Sequence, residues 1–353
     1  MSVPNLLDLL SFSHAKGASD LHLSAGSPVM LRLDGELMPV GIANIHSDGI
    51  SQMLRSVMTA ADFEIWQTTK EHDFAISVSL QGVAVRFRVN AFFTHKGAAA
   101  VFRTIPSRIA SLDELCTDAT ILHSLHAIAK LKSGLVLVTG ATGSGKSTTL
   151  AAIINHINRH KKSHILTIED PIEFVHECQL SLINQRQVGA DTTSFEQALR
   201  SALREDPDVI LVGELRDLQT IRLALRAAET GHLVLATLHT MNAPKSIDRI
   251  VDVFDSHEKH LIRTMLADSL QAIVAQRLLP ATTGGRVAVF EILLHTPAVA
   301  NLIRENKLAQ LPSVIQTGIE QGMISLDYHL DKLLSQGKIS RDTAKEYAQA
   351  LQF

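Results

Sequence analysis

A glycine-rich segment that follows an apolar run constrains the fold of this 353-residue chain more than any other feature. It comes directly after residues 135–139 and matches the pattern G-x-x-x-x-G-K-[ST] in full. Glycines let successive backbone N–H groups turn inward toward an anion, and the helix predicted over residues 149–157 points its positive end at the same place. The segment therefore predicts a P-loop that binds nucleotide phosphates, and its residues are Gly140, Ala141, Thr142, Gly143, Ser144, Gly145, Lys146, Ser147 and Thr148.

Two side chains of this segment have predicted roles in nucleotide chemistry. Lys146 should reach the β- and γ-phosphates, and the Ser147 hydroxyl should bind Mg²⁺. ATP and Mg²⁺ are thus the cofactors that the pattern implies. An apolar strand before the loop and a helix after it are the context in which this motif binds phosphate, so a chance match is a weak alternative.

Strands alternate with helical segments from about residue 121 onward, which predicts an α/β domain with a parallel sheet. Continuous apolar runs, as expected for strands buried on both faces, recur at residues 135–138, 165–168, 209–212 and 233–236. The first part of the chain differs, because alternating strand patterns around residues 83–90 and 99–103 indicate a small α+β domain. We expect three regions, namely 1–105, a linker at 106–120, and 121–353.

Acidic residues follow two of the predicted strands. Glu214 ends the run 209–213, and in an open α/β sheet that position lies beside the bound phosphates. We predict that Glu214 orients the attacking water, as hydrolysis requires a carboxylate there. Glu169 and Glu173 follow the strand 165–168 and are predicted to hold Mg²⁺. The alternative is that these carboxylates are only solvent-exposed side chains at strand ends or turns.

The chain has 17 histidines, but the sequence supports no metal site built from histidines. His156 and His160 have the i, i+4 spacing of a helical zinc pair, yet Ile157 stands where H-E-x-x-H requires glutamate. The pair His123 and His126 has no third ligand nearby in sequence, so solvated helix faces explain both pairs better. His239 differs, since it follows the strand 233–238 and is predicted to approach the γ-phosphate.

Charge, hydropathy and cysteine content argue against several classes of function. A net charge of −3 provides no bulk positive field for nucleic acid or an anionic membrane. No apolar stretch approaches the roughly 18 residues that a membrane helix needs. Cys116 and Cys178 are far apart and form no C-x-x-C pattern, so neither a disulfide framework nor a zinc ribbon is indicated.

Four segments together resemble the signature boxes of the secretion-type ATPase family. In chain order they are similar to the Walker A, Asp, Walker B and His boxes, and they occupy residues 140–148, 168–173, 212–217 and 227–240. The residues 18–23 resemble the start of the family's PAS-like N-terminal domain. The chain lacks the four-cysteine zinc site of the family's assembly ATPases, so the resemblance points to the branch that retracts type IV pili for twitching motility.

Membership in that branch would imply a RecA-like core, a homohexameric ring and ATP-driven domain rotation. It would also imply that two arginines of the N-terminal domain close on the phosphates, and the matching positions are Arg88 and Arg103. The implied partners are an inner-membrane platform protein of the pilus and a paralogous retraction ATPase, with no direct contact to nucleic acid. The implied location is the cytoplasmic side of the inner membrane at the pilus base.

Alternatives remain open on the sequence. Leu235-Ala236-Thr237 resembles an accessory paralogue within the retraction branch, whereas residues 284–288 are more similar to the main retraction ATPases. A nucleic-acid translocase would share the core but should carry basic pore loops. A nucleotide-gated structural subunit would bind ATP without turnover, which Glu214 beside a complete P-loop argues against.

Overall fold

A computed structural model describes residues 5–33, 35–41, 43–105 and 108–348, and the chain divides into two compact units. The units are Met1–Arg108 and Ile109–Phe353. Residues 106–120 were expected to form a linker between the units. In the structure, residues 109–120 instead belong to the second unit. They include a short helix at Leu112–Leu115, whose Leu112 is buried in the core of that unit.

The first unit is a six-stranded antiparallel sheet with three helices among its described residues. The strand order is β3-β2-β1-β6-β5-β4, and one apolar cluster that includes Trp66, Phe87 and Phe102 fills its core. This agrees with the expected α+β class. Its elements are α1 (Leu6–Ala15), β1 (Asp20–Ser24), β2 (Met30–Leu33), β3 (Glu36–Pro39), α2 (Ser47–Arg55), α3 (Ala60–Thr69), β4 (Glu71–Leu80), β5 (Val83–Thr94) and β6 (Gly97–Ile105).

The second unit is built on a seven-stranded sheet with the order β13-β12-β7-β11-β10-β8-β9. Its elements begin with α4 (Leu112–Leu115), α5 (Ala119–Lys130), β7 (Gly134–Thr139), α6 (Lys146–His160), β8 (His164–Glu169), β9 (Leu182–Gln187), α7 (Phe195–Ala202), β10 (Val209–Val212), α8 (Leu218–Glu229) and β11 (Leu233–Leu238). They continue with α9 (Ala243–Asp252), α10 (Lys259–Ser269), β12 (Leu270–Pro280), β13 (Arg286–Leu294), α11 (Pro297–Arg304), α12 (Leu311–Thr317), α13 (Leu326–Ser335) and α14 (Arg341–Tyr347).

The central strands of this sheet are buried on both faces, as their continuous apolar runs predict. Every residue of β7 is buried; Leu135 and Leu137 join the core on one face, while Val136 and Val138 join the core on the other. The strands from β12 to β9 are parallel, so the predicted α/β fold is confirmed. The edge strand β13 is antiparallel and was not predicted.

Parallel strands place all their carboxyl ends at one edge of the sheet. At this edge β7 leads into the P-loop, β8 leads into the acidic segment with Glu173, β10 leads to Glu214, and β11 leads to His239. The fold therefore gathers segments that are up to 100 residues apart in sequence. In the part of the chain that the structure describes, none of the helices is both long and apolar enough to cross a bilayer.

Candidate nucleotide site

The P-loop adopts a backbone conformation that its glycines make possible. Gly140 has φ 148°, Gly143 has φ 77° and Gly145 has φ 90°, and L side chains rarely adopt such values. At Gly140 a side chain would also collide with the neighbouring strand, because an added Cβ would lie 2.3 Å from the carbonyl oxygen of Gln276. Gly145 is the N-cap of α6, so the loop delivers the chain directly into the helix that carries Lys146.

Lys146 lies inside the loop and is only 8% exposed. Its Nζ donates hydrogen bonds to the carbonyl oxygens of Gly140 at 2.8 Å and Ala141 at 3.0 Å. Burial lowers the pKa of the ammonium, and the charges of Glu214 and Glu173 act in the opposite direction. The ammonium is therefore held by its own loop, within the electrostatic influence of two carboxylates. The P-loop motif predicts that a phosphate contacts it there.

His239 connects Lys146 to the carboxylate after β10. Its Nδ1 lies 3.5 Å from Lys146 Nζ, and its Nε2 lies 3.4 Å from Glu214 Oε1. Because an ammonium can only donate a hydrogen bond, Nδ1 acts as the acceptor, and a neutral ring then carries its proton on Nε2, next to Glu214. The other carboxylate oxygen of Glu214 accepts a 2.8 Å bond from Arg216 Nε.

The acidic segment after β8 contributes two carboxylates in different environments. Glu169 accepts hydrogen bonds from Thr167 Oγ1 at 2.7 Å and from Gln185 Nε2 at 3.1 Å. Burial raises the pKa of Glu169, while these two hydrogen bonds lower it in part. Glu173 is half-buried and close enough to Lys146 to influence the pKa of that ammonium.

Gln276 on β12 clamps the P-loop and was missed by the sequence analysis. Its Nε2 donates to the carbonyl oxygen of Ser144 at 2.7 Å, and its Oε1 accepts from Thr149 Oγ1 at 2.7 Å. The residue is 3% exposed. More than 120 residues separate it from both partners, so no local pattern could have revealed the contact. Arg216 was also missed, although its position two residues after Glu214 was a usable signal.

The loop has the features expected of a phosphate site. The Ser144 Oγ is buried and, in the described part of the chain, makes no hydrogen bond. Such a group usually costs free energy unless a ligand or water satisfies it. Together with the glycine-shaped backbone and the Lys146 ammonium, it fits a triphosphate; Thr142, Ser147 and Thr148 belong to the same segment or to the first turn of α6.

Arg88 and Arg103 lie in the first unit, directly opposite each other on the antiparallel strands β5 and β6. They therefore project from the same face of the sheet. Arg88 Nη2 contacts Asp73 at 2.6 Å, and Arg103 Nε contacts Asp20 at 2.8 Å. The Asp20 side chain is 5% exposed whereas that of Arg103 is 63% exposed, so a buried carboxylate holds the base of an outward-facing guanidinium.

Comparisons with known proteins show the family to which the chain belongs. The family described as Type II/IV secretion system protein matches residues 3–325. The Type IV pilus retractation ATPase PilT of Pseudomonas aeruginosa is 52% identical over 344 residues, which are 98% of each chain. A twitching motility protein of Neisseria gonorrhoeae is 52% identical over 346 residues, covering 98% of this chain and 91% of that protein.

A paralogue and a solved structure complete the comparison. The Type IV pilus ATPase PilU of P. aeruginosa is 40% identical over 341 residues, covering 96% of this chain and 87% of that protein. The crystal structure of the pilus retraction motor PilT with bound ADP superposes with a TM-score of 0.88 at 43% identity, covering 98% and 97% of the two chains. The second unit is thus a RecA-like P-loop core.

Proposed function

This chain belongs to the type II/IV secretion system protein family, and from that membership we propose that it is an ATP-hydrolysing motor that powers the retraction of type IV pili. The observation that carries the proposal is 52% identity to a pilus retraction ATPase over 98% of both chains. The site agrees with it, because a complete P-loop and Glu214 lie at the same sheet edge.

ATP binding would replace contacts that the P-loop now makes with itself. Lys146 donates to the carbonyl oxygens of Gly140 and Ala141, and the β- and γ-phosphates would take over these hydrogen bonds. The backbone N–H groups of the loop and the start of α6 would hold the phosphate oxygens. Gln276 would keep the loop in register with β12 while this exchange occurs.

We assign the orientation of the attacking water to Glu214. His239 is 3.4 Å from one of its oxygens and Arg216 is bonded to the other, so both fix the direction of the carboxylate. His239 also contacts Lys146, and it would therefore couple the position of this base to the presence of the γ-phosphate. Such coupling would restrict hydrolysis to the filled site.

Mg²⁺ would neutralise charge on the phosphates when it is bound. We propose that Ser147 and the acidic segment after β8 hold it. Between the two carboxylates we favour Glu173, because its charge acts on Lys146. Glu169 is already engaged by Thr167 and Gln185, so its proposed contribution is to shape the segment that carries Glu173.

The first unit would complete the site during turnover. We propose that Arg88 and Arg103 move onto the phosphates when the unit closes, in a homohexameric ring where ATP drives the rotation of one unit against the other. Arginine suits this role because its guanidinium is planar and permanently charged. Asp73 and Asp20 would keep the two side chains oriented before closure.

We further propose an inner-membrane platform protein as the partner that transmits the motion, with the ring on the cytoplasmic side at the pilus base. A paralogous retraction ATPase is a second proposed partner. An accessory role for this chain itself is less favoured, because PilU is 40% identical whereas PilT is 52% identical. A nucleic-acid translocase is also less favoured, given the net charge of −3.

The proposal is tested in a piliated strain that lacks its own retraction ATPase. Expression of this chain should restore twitching and reduce the number of surface pili, while the Lys146→Ala variant should restore neither. The purified chain should release phosphate from ATP. Restored twitching with the Lys146→Ala variant, or no phosphate release by the intact chain, would refute the motor function.

A further inference from the structure

Thr237 is a polar residue in the otherwise apolar strand β11. Every residue of this strand, Leu233–Leu238, is buried. A hydroxyl in such surroundings costs free energy unless it finds a hydrogen-bond partner. The partner that it has found therefore indicates what the hydroxyl contributes to the molecule.

Thr237 contacts the backbone on both sides of Glu214. Its Oγ1 donates a 2.5 Å hydrogen bond to the carbonyl oxygen of Gly213, the residue before Glu214. Its own carbonyl oxygen accepts a 3.1 Å bond from the N–H of Leu215, the residue after Glu214. One threonine thus holds both of the peptide groups that flank the proposed base.

These contacts hold a segment that lies beyond the regular sheet. The hydrogen-bonded ladder between β10 and β11 ends one residue before Gly213. A glycine backbone is freer to rotate than that of any other residue, so position 213 needs contacts that fix its direction. The Thr237 hydroxyl holds the carbonyl of this glycine, and the Ile168 carbonyl oxygen accepts a 2.8 Å bond from its N–H. Glu214 therefore extends from a backbone whose direction is fixed.

We propose that Thr237 is a positioning residue for ATP hydrolysis, because it fixes the backbone from which the Glu214 carboxylate reaches the attacking water. This inference rests on the proposed function, in which Glu214 orients that water. His239, two residues after Thr237, contacts the carboxylate itself at 3.4 Å. The end of β11 thus holds Glu214 at two levels, since Thr237 holds its backbone and His239 holds its carboxylate.

The expected effect is on turnover and not on ATP binding. A base must lie within hydrogen-bond reach of the proton that it takes, and a displacement of about 1 Å can lower a rate by about 10²-fold. ATP binding depends on the P-loop, and the bonds of Lys146 and Gln276 within that loop do not involve Thr237. Loss of the Thr237 hydroxyl should therefore lower kcat and leave the Kd for ATP nearly unchanged.

Two substitutions separate the hydroxyl of Thr237 from the bulk of its side chain. Thr237→Val keeps the shape and removes the hydrogen bond, and we expect its kcat to fall by about 10- to 100-fold. Thr237→Ser keeps the hydroxyl and loses a methyl group, and its kcat should stay close to the wild-type value. A residue that only fills space would give the opposite order, since valine retains the volume that serine loses. Steady-state phosphate release measures kcat, and fluorescent nucleotide binding measures the Kd.

Thr317→Val is the matched control for the loss of a hydroxyl. The Thr317 Oγ1 also donates to a backbone carbonyl, that of Ser313 at 3.0 Å, but it lies on α12. Its kcat should equal that of the wild type. A double variant adds a second test, because a residue that acts through Glu214 should have little further effect once Glu214 is replaced. In the Glu214→Gln background, Thr237→Val should therefore leave the single-turnover rate of phosphate release unchanged.

The results separate this inference from the function on which it rests. Phosphate release by the intact chain and its loss in Glu214→Gln would support the function. The positioning role is wrong if Thr237→Val, shown by urea denaturation to be folded, then keeps the wild-type kcat. It is also wrong if Thr237→Ser loses as much turnover as Thr237→Val, or if Thr237→Val lowers turnover equally with and without Glu214. An intact chain that releases no phosphate would refute the proposed function and this inference together.

Discussion

His239 is the residue through which the P-loop and the carboxylate after β10 contact each other. It lies within 3.5 Å of Lys146 Nζ and 3.4 Å of Glu214 Oε1. Its proximity to the phosphate site was predicted from its position after an apolar strand. The hydrogen-bond partners on either side of its ring could not be predicted, because they depend on side-chain rotamers at three separate strand ends.

Replacement of Glu214 by glutamine separates binding from turnover. We expect the Glu214→Gln variant to bind ATP with nearly the wild-type Kd, because the amide keeps the shape of the side chain. Turnover should fall by about 10²- to 10⁴-fold, since an amide is a poor base. Fluorescent nucleotide binding and steady-state phosphate release measure the two effects.

Glu177→Gln is the control for this variant. It makes the same chemical change at an exposed side chain that follows the acidic segment. It should leave both quantities unchanged. Weak ATP binding by Glu214→Gln would indicate that Glu214 shapes the site and does not act as the base.

At the scale of elements, the central strands of the second sheet were predictable and its edge was not. The runs at β7, β10 and β11 are continuously apolar, which distinguishes buried parallel strands. In contrast, β12 follows α10 without a break, because α10 ends at Ser269 and β12 begins at Leu270. With no turn residues between them, the sequence carries no signal for the change from helix to strand.

The missed strand β12 holds the P-loop, and removal of its clamp should affect both stability and activity. Gln276→Ala leaves the Ser144 carbonyl and the Thr149 hydroxyl without their partner. Each buried group left unpaired costs about 1–3 kcal/mol, so we expect a lower free energy of unfolding. A displaced loop should also raise the KM for ATP.

Urea denaturation and steady-state kinetics measure these changes. Gln271→Ala is the matched control, since Gln271 lies on the same strand near Gly134, away from the P-loop. Its KM should remain that of the wild type. Equal KM values for Gln276→Ala and Gln271→Ala would show that the clamp does not position the loop.

The packing of α13 should depend on pH through His329. This residue is 1% exposed, and its Nδ1 accepts a 2.9 Å bond from the Phe290 N–H. Burial lowers its pKa to about 4; the charge of Asp118 opposes this shift, and that of Lys338 reinforces it. The unfolded chain thus binds a proton more readily, so stability is full above about pH 6.5 and is lost as the pH falls toward 4.

We expect His329 to account for a loss of about 2 kcal/mol in the free energy of unfolding between pH 7 and pH 5. Urea denaturation at both pH values should show that His329→Gln loses less stability over this interval than the wild type does. His123→Gln, which changes an exposed ring, should retain the wild-type difference. An unaltered pH dependence in His329→Gln would contradict the assignment.

At the scale of the whole molecule, the chain combines two units with separate cores, Met1–Arg108 and Ile109–Phe353. The change near residue 121 to strands that alternate with helices indicated this organisation. The polar stretch 107–120 was expected to be a linker, but it contains a short helix that packs into the second core. Leu112 and Leu115 have the i, i+3 spacing of a helix, but a helix of four residues is too short for periodicity to identify it. The proposed function requires that the first unit acts on the nucleotide.

The last prediction tests that action through Arg88 and Arg103. If these arginines complete the site only when the first unit closes, Arg88→Ala and Arg103→Ala should lower turnover at saturating ATP more than they weaken ATP binding. Arginine contributions to phosphoryl transfer reach about 10³-fold or more, so the loss should be large. Steady-state phosphate release and equilibrium binding distinguish the two effects. Arg55→Ala, which removes an exposed arginine from α2 of the same unit, should retain wild-type turnover.

Assembly gives this prediction a second measurable consequence. If closure requires neighbouring subunits, the turnover per subunit of the intact chain should rise with protein concentration through the range in which rings form. The arginine variants should assemble over the same concentration range, as measured by light scattering. Their turnover per subunit should nevertheless rise little. Arginine variants with wild-type turnover, together with a rate per subunit that is independent of concentration, would rule out both the arginine assignment and the ring mechanism. In that case the second unit would have to hydrolyse ATP with its own residues alone, and Arg216 beside Glu214 would become the candidate for the missing positive charge.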